Sequence, residues 1–293
     1  MKTFVAIQSG PDCEERKEAC RKTWLPLLDK DKFKCFFIQS GYEGSEDYKI
    51  EGDTISFRTP KAKHVEVWAC TENEDDQGSP IRAQGFETPE DKTVGIRTWD
   101  GRYLLTDKIY RKSYYPGAWA AQWLYLTMTI REACKLALTH EDVDRFMKVD
   151  DDCYVVPRNM NSYDFQNKDL VGYFDRSSYP ELNWCFGSCS SLSKKAMKIF
   201  AEKGTEANYA KINSRGIHMD DVGIGTLIKH YIGSKQFKHE EQMKPWKPEY
   251  DEPLLPVSDH KKLIVSHGYT TVSQMKSMHM RMNRIFDNSK IVY

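Results

Sequence analysis

One stretch limits the folds open to this chain more than any other. Arg145, Phe146, Met147, Lys148 and Val149 form an apolar-rich run that reads as a buried strand. The run stops at three consecutive carboxylates, Asp150, Asp151 and Asp152, and a second β-prone run follows at Cys153, Tyr154, Val155 and Val156. Three adjacent acids repel one another and call for a counter-charge. At the end of a strand, a divalent metal that also holds phosphates suits them best. A solvated acidic turn is the commoner explanation of a bare Asp-Asp-Asp, but such a turn does not need apolar shoulders.

Bulk composition narrows the field without deciding it. The 293 residues suffice for one large α/β domain or two small ones. With 43 basic and 43 acidic side chains the formal net charge is +0, so no global field favours nucleic acid or an anionic membrane. No run reaches the roughly 18 apolar residues of a membrane span, and the apolar start at residues 4–7 is too short for a signal-peptide core. The expectation is a soluble, cytoplasmic chain. Eight cysteines occur without a CxxC pair, which leaves any connectivity open. Cys20, Cys35, Cys134 and Cys153 fall in strand or helix runs, as buried, reduced thiols would.

The chain opens as a βαβ unit. Lys2–Gln8 reads as a strand, Ser9, Gly10 and Pro11 break it, and Asp12 with Glu15 forms a capping box for a helix from Cys13. Cys20, Trp24 and Leu27 would share the buried face of that helix, with a second strand at 33–38. Ligands of such sheets sit outside the carboxyl ends of the strands, here near Gln8 and Ser9. Strands are expected at 54–57 and 64–69, a polar loop at 71–80, and a hairpin over 94–105 turning at Asp100 and Gly101. A long helix covers 118–138, with Trp119, Trp123, Ile130, Ala133 and Ala137 facing inward. Beyond the triple Asp come a strand at 170–174, a small-residue-rich tight segment at 183–191, and a helix capped by Ser193 and running to about Glu202. A further helix spans 220–230, and a last strand at 262–266 ends at His267. The whole reads as a single domain, 1–293, with an insertion around 70–95 and an irregular Pro-rich segment at 242–258.

Four segments, in order, resemble a known family. Arg16, Ala19, Arg21, Thr23 and Trp24 match the pattern R-x-x-A-x-R-x-T-W, and Asp150 to Val155 match D-D-D-x-[FY]-V. Asp220, Asp221 and Val222 with Gly225 match an acidic pair followed by Val or Cys, and Ser266 and His267 stand where a late histidine falls. Together they resemble the β-1,3-glycosyltransferases of glycosyltransferase family 31, which include Fringe and the β-1,3-galactosyl- and N-acetylglucosaminyltransferases. Where that family has a Gly-Gly-rich loop, this chain has Gly187, Ser188, Cys189, Ser190 and Ser191. The N-terminal anchor of the Golgi members is absent, so a Golgi lumenal location applies only if an anchor has been removed.

The resemblance implies a GT-A fold, a Rossmann-like mixed central sheet flanked by helices that binds a UDP-sugar and a divalent cation. UDP-galactose or UDP-N-acetylglucosamine is the favoured donor, with UDP-xylose or UDP-glucose as alternatives, and an oligosaccharide or glycoprotein is the acceptor. Asp152 and His267 become metal ligands, joined by Asp150, and Mn²⁺ suits that set, with Mg²⁺ as the alternative. Asp150 and Asp151 would hold ribose or donor sugar hydroxyls, or ligate through water. Ser9, Arg21, Gly187 and Ser188 would complete the nucleotide-sugar site, with a structural ion pair as the rival role for Arg21. Asp221, beside Asp220 at a helix start, is the candidate general base for an inverting displacement that leaves a β-linkage. Trp184 and Trp246 would stack on the acceptor, or pack under loops. A catalytically decayed sugar- or nucleotide-binding module and a metal-dependent phosphohydrolase are the competing readings.

Overall fold

A computed structural model describes residues 2–10, 13–58, 67–69, 95–97, 103–105, 111–113, 117–175, 184–205, 208, 220–243, 260–269 and 271–287; within these, the side chains of 67–69, 95–97, 103–105, 111–126, 175, 184, 186 and 220–222 are not described. The architecture is α/β, with a mostly parallel central sheet between helices. β1 (Lys2–Gln8) and β9 (Val143–Asp150) lie side by side and parallel at its middle. Nearly every residue of both is buried, as a strand covered on both faces requires. On one side follow β2 (Phe33–Gln39), β4 (Thr54–Phe57) and β3 (Tyr48–Glu51). On the other follow β12 (Trp184–Ser193), β11 (Leu170–Asp175) and the edge strand β13 (Phe237–His239). β12 runs antiparallel to both neighbours, and β3 is antiparallel to β4. The segment around 183–191, expected as a tight small-residue turn, is therefore largely part of a ten-residue strand. Its serines fit because β9 sends Arg145 and Lys148 toward it: Arg145 Nη1 donates to Ser191 Oγ at 3.3 Å, and Lys148 to the Gly187 carbonyl.

The two faces of the sheet carry separate cores. One packs Val5, Ile7, Met147 and Val149 with Met160 of the short α3 (Pro157–Asn161), beneath α1 (Glu14–Lys22) and the C-terminal helix α6 (Val272–Asp287). The other packs Phe4, Ala6, Phe146 and Leu192 beneath α2 (Gly117–Leu138), α4 (Lys194–Lys203) and α5 (Asp220–Ile232). Ser193 caps α4 as expected, its Oγ accepting the Ala196 N–H at 3.2 Å. In α1, Glu14 and Glu15 stand in the first turn and Arg21 and Lys22 in the last, matching the helix dipole. Asp12, its expected cap, lies outside the described residues.

One expected helix face is corrected. α1 stops at Lys22, and Leu25–Leu27 turn as a short 3₁₀ segment with Pro26 inside it. Pro cannot extend the helix, so Cys20 and Trp24 stay buried while Leu27 points to solvent. Trp24 is fully buried where this turn meets the first core. Trp24→Ala is expected to cost about 3–5 kcal/mol of stability, read as a lowered midpoint in urea at unchanged slope.

Outside the main sheet, β6 (Gly95–Arg97) pairs antiparallel with β7 (Tyr103–Leu105), in the register of a hairpin centred on residue 100. β5 (Val67–Ala69) pairs with β8 (Arg111–Ser113). The expected insertion at 70–95 and the Pro-rich segment at 242–258 fall almost wholly outside the described residues. Among the described residues no helix is long and apolar enough to cross a membrane. The seven described cysteines are free, five of them buried.

Candidate functional site

The register of the sheet sets the stage. Gln8 pairs with Asp150, so β1 and β9 end level with each other. Beyond β9 the chain turns sharply: the Asp151 N–H donates to the Gln8 carbonyl at 3.0 Å. It then starts β10 (Cys153–Val155), which leaves the main sheet and pairs antiparallel with β14 (Val265–His267). That ribbon sets His267 opposite Cys153 and next to Asp152. The Asp152 carbonyl is clamped by the N–H groups of Gly268 at 3.1 Å and Tyr269 at 2.9 Å. Gly268 makes the clamp with φ +101°, a conformation open to glycine. Two residues 115 positions apart thus meet, with His267 Nε2 at 3.3 Å from Asp152 Oδ1.

The pair is mostly buried. Burial works to raise the Asp152 carboxyl, but the His267 imidazole, with Arg16 and Lys148 behind it, outweighs burial and leaves it lowered. Burial works to lower His267, and Asp152 followed by Asp150 more than offsets this, so the imidazole is raised. The contact is an ion pair when the imidazole is protonated, but its alignment falls short of a hydrogen bond, and Asp152 Oδ1 is buried with no donor. A buried carboxylate oxygen without a donor is destabilising, and a cation seated between oxygen and imidazole would remove that defect. Together with Cys153, the potential ligand atoms of Asp152 and His267 lie within 4.8 Å of one another. Cys153 is a poor third ligand: burial pushes its thiol well up, and the S–H donates to the Ser188 carbonyl at 3.2 Å. The usable set is one carboxylate and one imidazole, which fits a hard or borderline divalent ion.

The other two acids have different partners. Asp151 turns inward, accepting from Ser9 Oγ at 2.6 Å and pairing with Arg16 Nη1 at 3.1 Å. Burial raises its carboxyl against both of those contacts. With both oxygens of Asp151 engaged inside the fold, Asp151 and Ser9 brace the turn. Asp150 faces the buried Lys148 ammonium at 2.6 Å and is only partly exposed, and it stands apart from the Asp152, Cys153 and His267 ligand group. The Gly187 carbonyl on β12 accepts from the same Lys148 ammonium, and Ser188 follows it in the strand.

Arg21 takes the rival role named for it, the structural ion pair. Its guanidinium grips Asp53 at 2.9 Å through both Nε and Nη2, contacts Glu14 at 2.5 Å, and lies over the Phe37 ring. It is the structural ion pair of the motif, and Arg16 is the arginine that faces the acids. Arg16 and Lys148 were not singled out as site residues from sequence. Both carried a signal: Arg16 opens the R-x-x-A-x-R motif, and Lys148 precedes Asp150 by two, on the same face of a strand.

Asp220 and Asp221 open α5, as the helix expected from residue 220 requires; their side chains lie outside the described set, as does that of Trp184, the first residue of β12. Trp246 is outside the described residues altogether.

No family model and no curated protein matches this sequence. Among solved structures, a glycosyltransferase involved in glycosylation of the major capsid of PBCV-1 overlaps 96% of this chain and 100% of its own at 10% identity, with a TM-score of 0.47. The galactosyltransferase LgtC, in complex with donor and acceptor sugar analogues, overlaps 95% of each chain at 11% identity and a TM-score of 0.48. The glycosyltransferase GlyE of Streptococcus pneumoniae overlaps 99% of this chain and 64% of its own at 9% identity and a TM-score of 0.42. Overlaps this loose leave the functional reading to the residues themselves.

Proposed function

We propose that this chain is a metal-dependent GT-A glycosyltransferase that moves a sugar from a UDP-sugar to a glycan hydroxyl with inversion, forming a β-linkage. Galactose and N-acetylglucosamine are the favoured donor sugars. The observation that carries the reading is the meeting of Asp152 and His267 at 3.3 Å, through a buried carboxylate oxygen that accepts no hydrogen bond, at the carboxyl end of the parallel strands β1 and β9. Asp152 and His267 would hold Mn²⁺, or Mg²⁺, which when bound supplies positive charge to a diphosphate leaving group. Arg16, behind Asp151, adds fixed positive charge to the same corner. Asp221 is the proposed base that accepts the proton of the acceptor hydroxyl, with Asp220 capping the helix. Trp184 and Trp246 are proposed to stack on the acceptor.

The test is UDP release by the intact chain over a panel of UDP-sugars with Mn²⁺. Release that EDTA stops and Mn²⁺ restores is expected; hydrolysis of simple phosphodiesters without sugar transfer would point to a phosphohydrolase instead. Metal binding also carries a pH signature. A ligand imidazole must be neutral, and the folded His267 value is raised above its ordinary 6.5 while Asp152 stays ionised. Mn²⁺ affinity is therefore expected to hold at alkaline pH and to fall by about tenfold per pH unit once the pH drops below the His267 value. Calorimetry between about pH 8 and pH 6 reads it.

A further inference from the structure

The main sheet ends, on the side away from β13, in β3, whose four residues are Tyr48, Lys49, Ile50 and Glu51. All four are exposed, and among the described residues no strand pairs with the outer side of β3. The register with β4 shows which backbone groups face outward. The Arg58 N–H donates to the Asp47 carbonyl at 2.8 Å, and these two residues stand opposite each other in the register that pairs Tyr48 with Phe57. Antiparallel pairs alternate between bonded and non-bonded. Lys49 and Glu51 therefore bond inward to β4, while the N–H and C=O groups of Tyr48 and Ile50 point off the edge. The side chains divide by face. Ile50 and Tyr48 stand opposite Ile55 and Phe57, which belong to the second core, and they carry that apolar face out to the rim at 50% and 38% exposure. Lys49 and Glu51 project from the other face, with Lys49 Nζ 2.6 Å from Glu51 Oε1.

An open edge invites other strands, and a lysine on it is a common block. Here the acid two residues along lifts that block for one partner: a second copy of β3, running antiparallel about a two-fold axis at Ile50. In that register Ile50 exchanges two N–H···O=C bonds with Ile50 of the second copy. Lys49 falls opposite Glu51 and Glu51 opposite Lys49, both in non-hydrogen-bonded pairs, where facing side chains come closest. Tyr48 falls opposite Gly52, which has no Cβ and nothing within 4 Å of where one would stand. Other registers lose the match. An axis at Lys49 sets lysine against lysine, and an axis at Tyr48 sets Ile50 against Glu46.

We propose that this chain self-associates through β3, two copies joining edge to edge in a symmetric dimer with one continuous sheet. The axis reverses strand direction, so the carboxyl ends of β1 and β9 point opposite ways in the two copies. Two strands, β2 and β4, separate β3 from β1, so the contact leaves each Asp152 and His267 corner to its own chain. The contact is small: two short edges cover less than the roughly 1,200 Å² of a stable interface. The dimer is therefore reversible, with a dissociation constant in the micromolar range. The proposal is independent of the transferase reading.

The experiment is sedimentation velocity on the full chain from about 1 to about 200 µM, with the wild type, Ile50→Lys, Lys49→Glu and Glu51→Lys. The substituted positions are exposed, so each variant is expected to melt near the wild-type temperature. The wild type is expected to pass from monomer to dimer and no further. Ile50→Lys is expected to stay monomeric throughout. Lys49→Glu or Glu51→Lys alone sets like charges face to face twice, and either is expected to weaken the dimer by about tenfold or more. The deciding arm is an equimolar mixture of those two variants. There, acid meets base across the contact while the pair within each chain stays broken, so a mixed dimer is expected at about the wild-type concentration. A wild type that stays monomeric, a dimer indifferent to all three substitutions, growth past the dimer, or a mixture no better than its components would each overturn the proposal.

Discussion

Asp152→Asn is expected to lower sugar transfer by about a thousandfold or more, equivalent to several kcal/mol of transition-state stabilisation, while the protein stays folded. The substitution removes one of two ligands and keeps the side-chain shape. The backbone clamp on residue 152 remains, because the Gly268 and Tyr269 N–H groups bind its carbonyl and not its carboxylate. A second readout separates lost charge from lost structure. Without the Asp152 carboxylate, burial dominates His267, and its titration by NMR is expected to move down from its raised position. Unchanged turnover in Mn²⁺ would mean that the cation is held elsewhere.

Lys148→Met is expected to lose about 2–3 kcal/mol of stability. Removing one partner of a buried ion pair costs about 3–5 kcal/mol, and the figure is reduced because the Asp150 side chain keeps 27% of its surface in water. The loss comes from Asp150, left beside Asp151 and Asp152 with its neighbouring cation gone, and from the unfilled Gly187 carbonyl. The double variant Lys148→Met, Asp150→Asn is expected to recover much of it, since the charge that faced the ammonium is removed with it. Chemical denaturation of these two variants and of Asp150→Asn alone closes that cycle. If the double variant is no better than the single one, the ammonium serves β12 and not the acid.

Where the sequence was informative, local pattern and tertiary need agreed. The first βαβ unit, the strand that ends at Asp150 and the cap at Ser193 all rest on periodicity plus a punctuating residue, and all are present. The Asp152 and His267 pairing was legible only through motif order, since no local property ties residues 115 positions apart. The exchange of roles between Arg16 and Arg21 was not legible. Five residues apart on a helix, they point about 140° away from each other, and sequence alone does not say which of those directions faces the acids. Lys148 was hidden inside an apolar run. The C-terminal helix α6 was not anticipated, because its buried stripe is Met275, Met278 and Met282 amid polar residues, a weaker signal than branched aliphatics would give.

The ribbon of β10 and β14 has a consequence for the chain as it emerges from the ribosome. All eight strands of the main sheet lie before residue 240, so a nascent chain holds the scaffold well before it holds His267. A product released early, or clipped by a protease ahead of β14, would keep the eight strands but lose both His267 and α6, which covers one of the two cores. On the proposed reading, a polypeptide cut ahead of β14 is inert rather than half-active.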